Sequence, residues 1–191
     1  MSSEKAMAPQ IFTTGRLLSS PNISISFVEA KVNSTLEVAE KISNQANEGV
    51  DFIKLYVGLT PDLVKEAINK SHSLELKVIG HLFSTSWKDA ASHNIDFLTH
   101  AVPVSPSLLS FQDRERFIEY GDDPFNHFLW LDLVKINSNE LDEMIESLVE
   151  NNIYVDPTLS VYEAMVKDNF EGNQHLWTKV LQLTKKCTVV E

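Results

Sequence analysis

Residues 50–72 read VDFIKLYVGLTPDLVKEAINKSH. The first eight, rich in β-branched and aromatic side chains and bounded by Gly49 and Gly58, have the composition of a buried strand. Alternation puts Phe52, Lys54 and Tyr56 on one face and Asp51, Ile53, Leu55 and Val57 on the other. Thr60-Pro61-Asp62 then opens a helix with proline at its first position, and Leu63, Val64, Ala67 and Ile68 share one side of it. A strand, a short turn and a helix make the repeating unit of a parallel α/β domain.

The unit recurs in both directions. Upstream, Ser34 and Glu37 form a capping box for a helix whose apolar positions are Leu36, Ala39, Ile42 and Ala46, stopped by Gly49. Downstream, LELKVIGHL is a strand, Ser86 and Asp89 cap a short helix through His93, and Asn94 stops it before the strand IDFLTHA. A longer excursion occupies about 103–130. A helix over Asn137 to Glu150 follows, with Leu141, Met144, Ile145, Leu148 and Val149 in register; Asn152 ends it before the strand IYVDPTL. Such alternation predicts an α/β fold with a parallel sheet covered by helices. An open doubly wound sheet and a closed (β/α)8 barrel both satisfy it. No glycine-rich phosphate loop of the dinucleotide or P-loop kind is present, which weakens the nucleotide-binding option.

Composition narrows the function classes. Sixteen Lys and Arg against 27 Asp and Glu leave a net charge of −11, which repels phosphate backbones and anionic lipid. Neither a nucleic-acid nor a membrane partner is expected. The single cysteine, Cys187, excludes an internal disulfide framework and a cysteine-based zinc site, and reads as an inert thiol. The first ten residues, MSSEKAMAPQ, lack the apolar core of a signal peptide, so a cytoplasmic location is the default expectation.

Three polar residues interrupt this picture. Lys54 lies between apolar strand residues, and burying its ammonium unpaired costs several kcal/mol or depresses its pKa. A carboxylate partner, a Schiff base or conversion to a carbamate would each compensate. His81 and His100 close the next two strands, at the ends where barrel active sites are built. Two readings stand side by side: core histidines satisfied by hydrogen bonds, and metal ligands brought together with Lys54. Tyr56 shares the lysine's face and is the candidate substrate contact. Ser84, Thr85 and Ser86 follow His81, with helix capping as the plainer use. His72, His93, His127 and His175 read as solvated or capping residues. Phe125, Phe128 and Trp130 belong to the excursion, which resembles a lid but has packing as its simpler role.

GVDFIKLYVGLTPDLVKEAI and LKVIGHLFSTSWKDAASHNIDFLTHA resemble the central part of an amidohydrolase-superfamily enzyme, in its imidazolonepropionase-like and prolidase-like branch. IFTTGRLLSSP is similar to that branch's third-strand segment and VDPTLSVYEAM to its seventh. The resemblance implies one incomplete catalytic domain across residues 1–191, roughly strands three to seven of a (β/α)8 barrel. It implies a divalent metal, usually zinc, or two such ions bridged by carboxylated Lys54, with His81 and His100 on the more exposed one. The implied reaction is hydrolysis of a C–N bond in a small amide, cyclic amide or dipeptide-like substrate by a metal-activated water.

The sequence departs from that family in two places. It contains no HxH pair, and the family's eighth-strand aspartate would fall past Glu191; Asp156 belongs to the seventh-strand segment. Weak or absent catalysis is therefore expected of this chain, with a non-catalytic truncated or degenerate barrel as the alternative function. A Schiff-base lysine, as in aldolase-type barrels, is a second enzymatic alternative. Unpaired strands at the ends of an incomplete barrel also predict self-association, with a homo-oligomer as one form of it.

Overall fold

The computed structural model describes residues 9–24, 26–119, 127–168 and 174–188. Six short strands form one parallel sheet: β1 (Leu17–Ser19), β2 (Glu29–Lys31), β3 (Phe52–Leu55), β4 (Lys77–Gly80), β5 (Phe97–Thr99) and β6 (Tyr154–Asp156). Their order is β2-β1-β3-β4-β5-β6, and every pairing is parallel. Five were expected. β2 is the addition, and it pairs with β1 through Leu17–Glu29, Leu18–Ala30 and Ser19–Lys31. Its residues, Glu-Ala-Lys, have no apolar pattern to announce a strand.

The connecting helices lie where capping chemistry and turn residues put them. α1 (Thr35–Asn47) is capped by Ser34, whose Oγ accepts the Glu37 N–H, while the Glu37 carboxylate accepts the Asn33 N–H at 2.8 Å. α2 (Pro61–His72) starts on its proline, and α3 (Trp87–Ser92) on Ser86. Gly49 (φ 81°), Asn94 (φ 60°) and Asn152 (φ 54°) adopt the left-handed conformation just past helices, turning the chain back toward the sheet.

α1 buries Ile42 of its expected face, but Leu36 falls outside the core. Val38, Ile42 and Gln45 are buried, whereas Leu36 is 78% exposed. Gln45 qualifies for the buried side because its Nε2 donates to the Arg16 carbonyl at 2.9 Å. α2 buries the four apolar residues expected of it.

The excursion after β5 holds α4 (Phe111–Glu119) and α5 (His127–Leu133), so it runs three residues past the expected end. Phe125 falls outside the described residues. Trp130 is fully buried and donates from Nε1 to the Ser105 carbonyl at 2.8 Å, and Phe128 packs against the core, so both serve packing. α6 (Asn139–Glu150), α7 (Leu159–Asp168) and α8 (Gln174–Thr188) complete the chain. Lys179 of α8 donates to the Leu131, Asp132 and Val134 carbonyls, placing a cation at the C-terminal end of α5 and fixing that helix.

The two faces of the sheet differ. Leu18, Ile53, Leu55, Val78 and Leu98 have no exposed surface and form the core with α1, α2 and α3. The opposite face carries Lys54, Tyr56, Ile79, Phe97 and Thr99, all half-buried. This second face, the one that lines the inside of a closed barrel, holds the polar residues.

Candidate active site

Parallel strands in register bring distant residues of the sequence side by side. Lys54 pairs with Ile79, so His81, two residues on, lies one step past the lysine toward the strand ends on the same face. The His81 N–H continues the ladder by donating to the Leu55 carbonyl at 3.0 Å. Thr99 of β5 shares this face: its Oγ1 accepts from Lys54 Nζ at 2.9 Å and donates to the Gly80 carbonyl at 3.2 Å. Alternation in FLTH places Thr99 there, a signal present in the sequence and not read from it.

His100 needs a bend to join them. Continued alternation past Thr99 would send its side chain to the helix layer. Instead the backbone takes φ 80°, a left-handed value that costs a non-glycine residue about 1–2 kcal/mol. The His100 ring centre then lies 4.2 Å from that of His81, the planes at 70°. Two hydrogen bonds hold the bend: the His100 N–H donates to the Asp156 carbonyl at 2.7 Å, and Nδ1 is 2.8 Å from Thr158 Oγ1. Thr158 is itself left-handed at φ 43°, with its N–H donating to Asp156 Oδ1 at 3.0 Å. Tyr56 meets the His81 ring edge-on, 4.8 Å between centres and 87° between planes.

Burial sets the electrostatics. It pushes the Lys54 amine down to about 8, with the Asp156 carboxylate opposing. His100 falls to about 4 through burial, then Lys54 and His127, again opposed by Asp156. His81 is driven lower, by burial first and then by His100, His127 and Lys54. Both imidazoles are neutral at pH 7, the state that offers a lone pair to an electrophile. Tyr56 is raised by burial and by Glu29, so its hydroxyl keeps its proton.

A third imidazole stands at the same place. His127, the first residue of α5, has its ring centre 6.2 Å from that of His81 and a hydrogen bond to Tyr162. The expectation of a solvated or capping role fails for it, because the packing of the excursion against the strand ends, invisible in the sequence, carries it to the site. The expectation holds for the others: His72 bonds Asp96 and His175 bonds Asp132, each at 2.9 Å near the surface, and His93 is the C-cap of α3. Thr85 donates to the Leu59 carbonyl and Ser86 caps α3, so the loop after His81 is structural at both positions. Burial raises Cys187 to about 11, leaving an unreactive thiol.

The donor set suits a divalent ion in part. Two neutral imidazoles packed ring against ring are ligands that zinc accepts, and Lys54 becomes a donor as a neutral amine or a carbamate. Among the described residues, no three His, Cys, Asp or Glu side chains are grouped to hold an ion. A concavity of about 490 Å³ lined by Ile136, Asn137, Gln182, Lys185 and Lys186 shares none of these residues. No helix of the described residues is long and apolar enough to cross a membrane.

No protein-family model and no curated protein matches the sequence. Solved structures do match the fold. An uncharacterized protein of known structure superposes on 94% of this chain and 43% of its own length, with a TM-score of 0.55 and 14% identity. Bottromycin amidohydrolase superposes on 94% of this chain and 42% of its own, with a TM-score of 0.54 and 13% identity. The chain spans less than half the length of either. It carries a parallel α/β fold, part of a (β/α)8 barrel, similar to part of each of these longer structures.

Proposed function

We propose that this chain belongs to a metal-dependent amidohydrolase that cleaves C–N bonds of small amide, cyclic amide or dipeptide-like substrates. One observation carries the reading: Lys54, His81 and His100 converge on the open face at the C-terminal ends of three consecutive parallel strands. His81 and His100 are the metal ligands in this reading, with Lys54, as its carbamate, the anionic one. A divalent ion held there supplies Lewis acidity, polarising a carbonyl oxygen and acidifying water.

The protein's own groups divide the remaining work. Thr158, bonded to His100 Nδ1, fixes the ring and leaves Nε2 as the nitrogen for coordination. Thr99 holds the Lys54 side chain extended along the open face. Burial favours the neutral amine, the form that combines with carbon dioxide to give a carbamate. Tyr56 keeps its phenolic proton beside His81 and is the hydrogen-bonding contact for a substrate carbonyl or carboxylate.

Metal analysis of the purified chain after growth with zinc tests the reading. Zinc is expected with the wild-type chain and is expected to be lost from Lys54→Ala, with both folded by circular dichroism. A wild-type chain free of metal would sink the proposal and leave the non-catalytic barrel as the better account.

A further inference from the structure

Asp156 closes β6 on the open face of the sheet. Its register partner is Thr99, which bonds Lys54, so alternation gives Asp156 the same face as the lysine. The contact between the Phe97 and Tyr154 rings, two residues back on the same pair of strands, marks that face. The side chain is exposed, and its direction is fixed: Oδ1 accepts the Thr158 N–H at 3.0 Å. Among the described residues, no hydrogen bond ends on Oδ2 and no ion pair includes Asp156. One carboxylate oxygen serves the turn and the other is available.

The charges around it set what that oxygen can hold. Lys54 and His100 both feel the Asp156 carboxylate, yet Lys54 Nζ bonds Thr99. Two other lysines share the face. Lys31, across the sheet, is taken up by Glu29, Ser19 and Ser20, and Lys77 lies over the Phe97 ring, nearer the strand starts. A carbamate at Lys54 replaces the neighbouring cation by an anion. The metal answers that anion, and the Asp156 carboxylate is left for a positive charge brought by the ligand.

We propose that Asp156 binds the α-ammonium group of a dipeptide whose scissile carbonyl is seated at the His81–His100 pair. The inference rests on the amidohydrolase reading above and narrows its substrate class to amides with a free N-terminus. The spacing suits it. An α-nitrogen lies about 2.5 Å from the carbonyl carbon of its own residue, and a charge-assisted hydrogen bond adds about 2.8 Å. Together they reach about 5 Å, the separation of neighbouring strands. His100 and Asp156 stand on such neighbours, joined by the bond from the His100 N–H to the Asp156 carbonyl. N-acylated and cyclic amides bring no cation, so their binding leaves the carboxylate without a partner.

Calorimetric titration of the zinc-loaded full chain tests it. The probe is the phosphinic isostere of alanyl-alanine, used with its free amine and as the N-acetyl derivative. The wild type is expected to bind the free amine about tenfold more tightly, the worth of one charge-assisted hydrogen bond at an exposed site. Asp156→Asn keeps an oxygen for the Thr158 N–H and removes the charge. It is expected to lose the preference for the free amine while binding the N-acetyl probe and zinc as the wild type does. Equal affinity of the wild type for the two probes would overturn the contact, as would a preference undiminished in Asp156→Asn. A matching loss for both probes in Asp156→Asn would also overturn it, leaving Asp156 the support of the His100 bend alone. In each of those cases zinc uptake leaves the metal site standing. A wild type that takes up no zinc removes the underlying reading and this contact with it.

Discussion

His100 shows most directly how one residue's backbone serves the site. Its φ of 80° brings the ring against His81, and the cost is offset by bonds to Asp156 and Thr158. Because the cost belongs to the Cβ atom, glycine escapes it and alanine does not. Both substitutions delete the ring and its hydrogen bond, so their difference isolates the backbone. His100→Gly is expected to be more stable than His100→Ala by about 1 kcal/mol in urea unfolding; equal midpoints, with equal slopes, would show that the bend carries no strain. The sequence identified His100 and Lys54 as exceptional because each is polar beside apolar strand residues. It did not show the bend, since φ at the end of a strand depends on what receives the side chain. His127 was missed for a related reason: nothing near it in the sequence says which element it will meet.

At the scale of elements, helix starts were legible where a hydroxyl residue precedes an acidic one by three. Ser34 and Ser86 cap α1 and α3 in this way. The helix expected from Asn137 begins instead at Asn139, because Ser138 takes the capping position and its Oγ accepts the Leu141 N–H at 3.3 Å. Asp142, in that first turn, adds a favourable negative charge at the positive end of the helix dipole. α6 buries Leu141, Met144 and Leu148 and packs on α3, so loosening its first turn also disturbs the core. Ser138→Ala is expected to cost about 1 kcal/mol, read as a lower melting temperature, and Ser138→Asp to restore most of it. Equal losses from Ala and Asp would mean that the cap is not what the hydroxyl supplies. Side assignment was less legible than helix position. In α1, Leu36 reads as core yet is exposed, while Gln45, which no apolar pattern marks, is buried, since the Arg16 carbonyl satisfies its amide.

At the scale of the molecule, the sheet is open. β2 and β6 each have one strand neighbour, leaving two edges of backbone donors and acceptors among the described residues. The face holding the site is open as well. A row of aromatic rings runs across it near the strand starts, Phe12 to Phe52 to Phe97 to Tyr154, with centres 6.3, 6.0 and 5.6 Å apart. Phe12 is 60% exposed and Tyr154 66%. A closed barrel covers such a row, whereas here water meets apolar surface beside unpaired edges. Concentration-dependent self-association is the expected consequence, checked by sedimentation velocity over a hundredfold range of concentration (about 1 to 100 μM). A single monomeric boundary throughout would contradict it.

The sequence by itself determined the alternation of five strands with α1, α2, α3 and α6, though not β2, because strand composition, caps and left-handed turn residues act over a few neighbours. It also determined that Lys54, His81 and His100 are the polar exceptions on strand segments, since burial against apolar neighbours is written in alternation. Tertiary structure decided which groups meet. Register set Lys54 against Thr99, the bend at His100 closed the imidazole pair, and the excursion delivered His127. Those contacts join residues up to 46 positions apart (His81 to His127), and at that range only packing against the rest of the fold fixes the geometry.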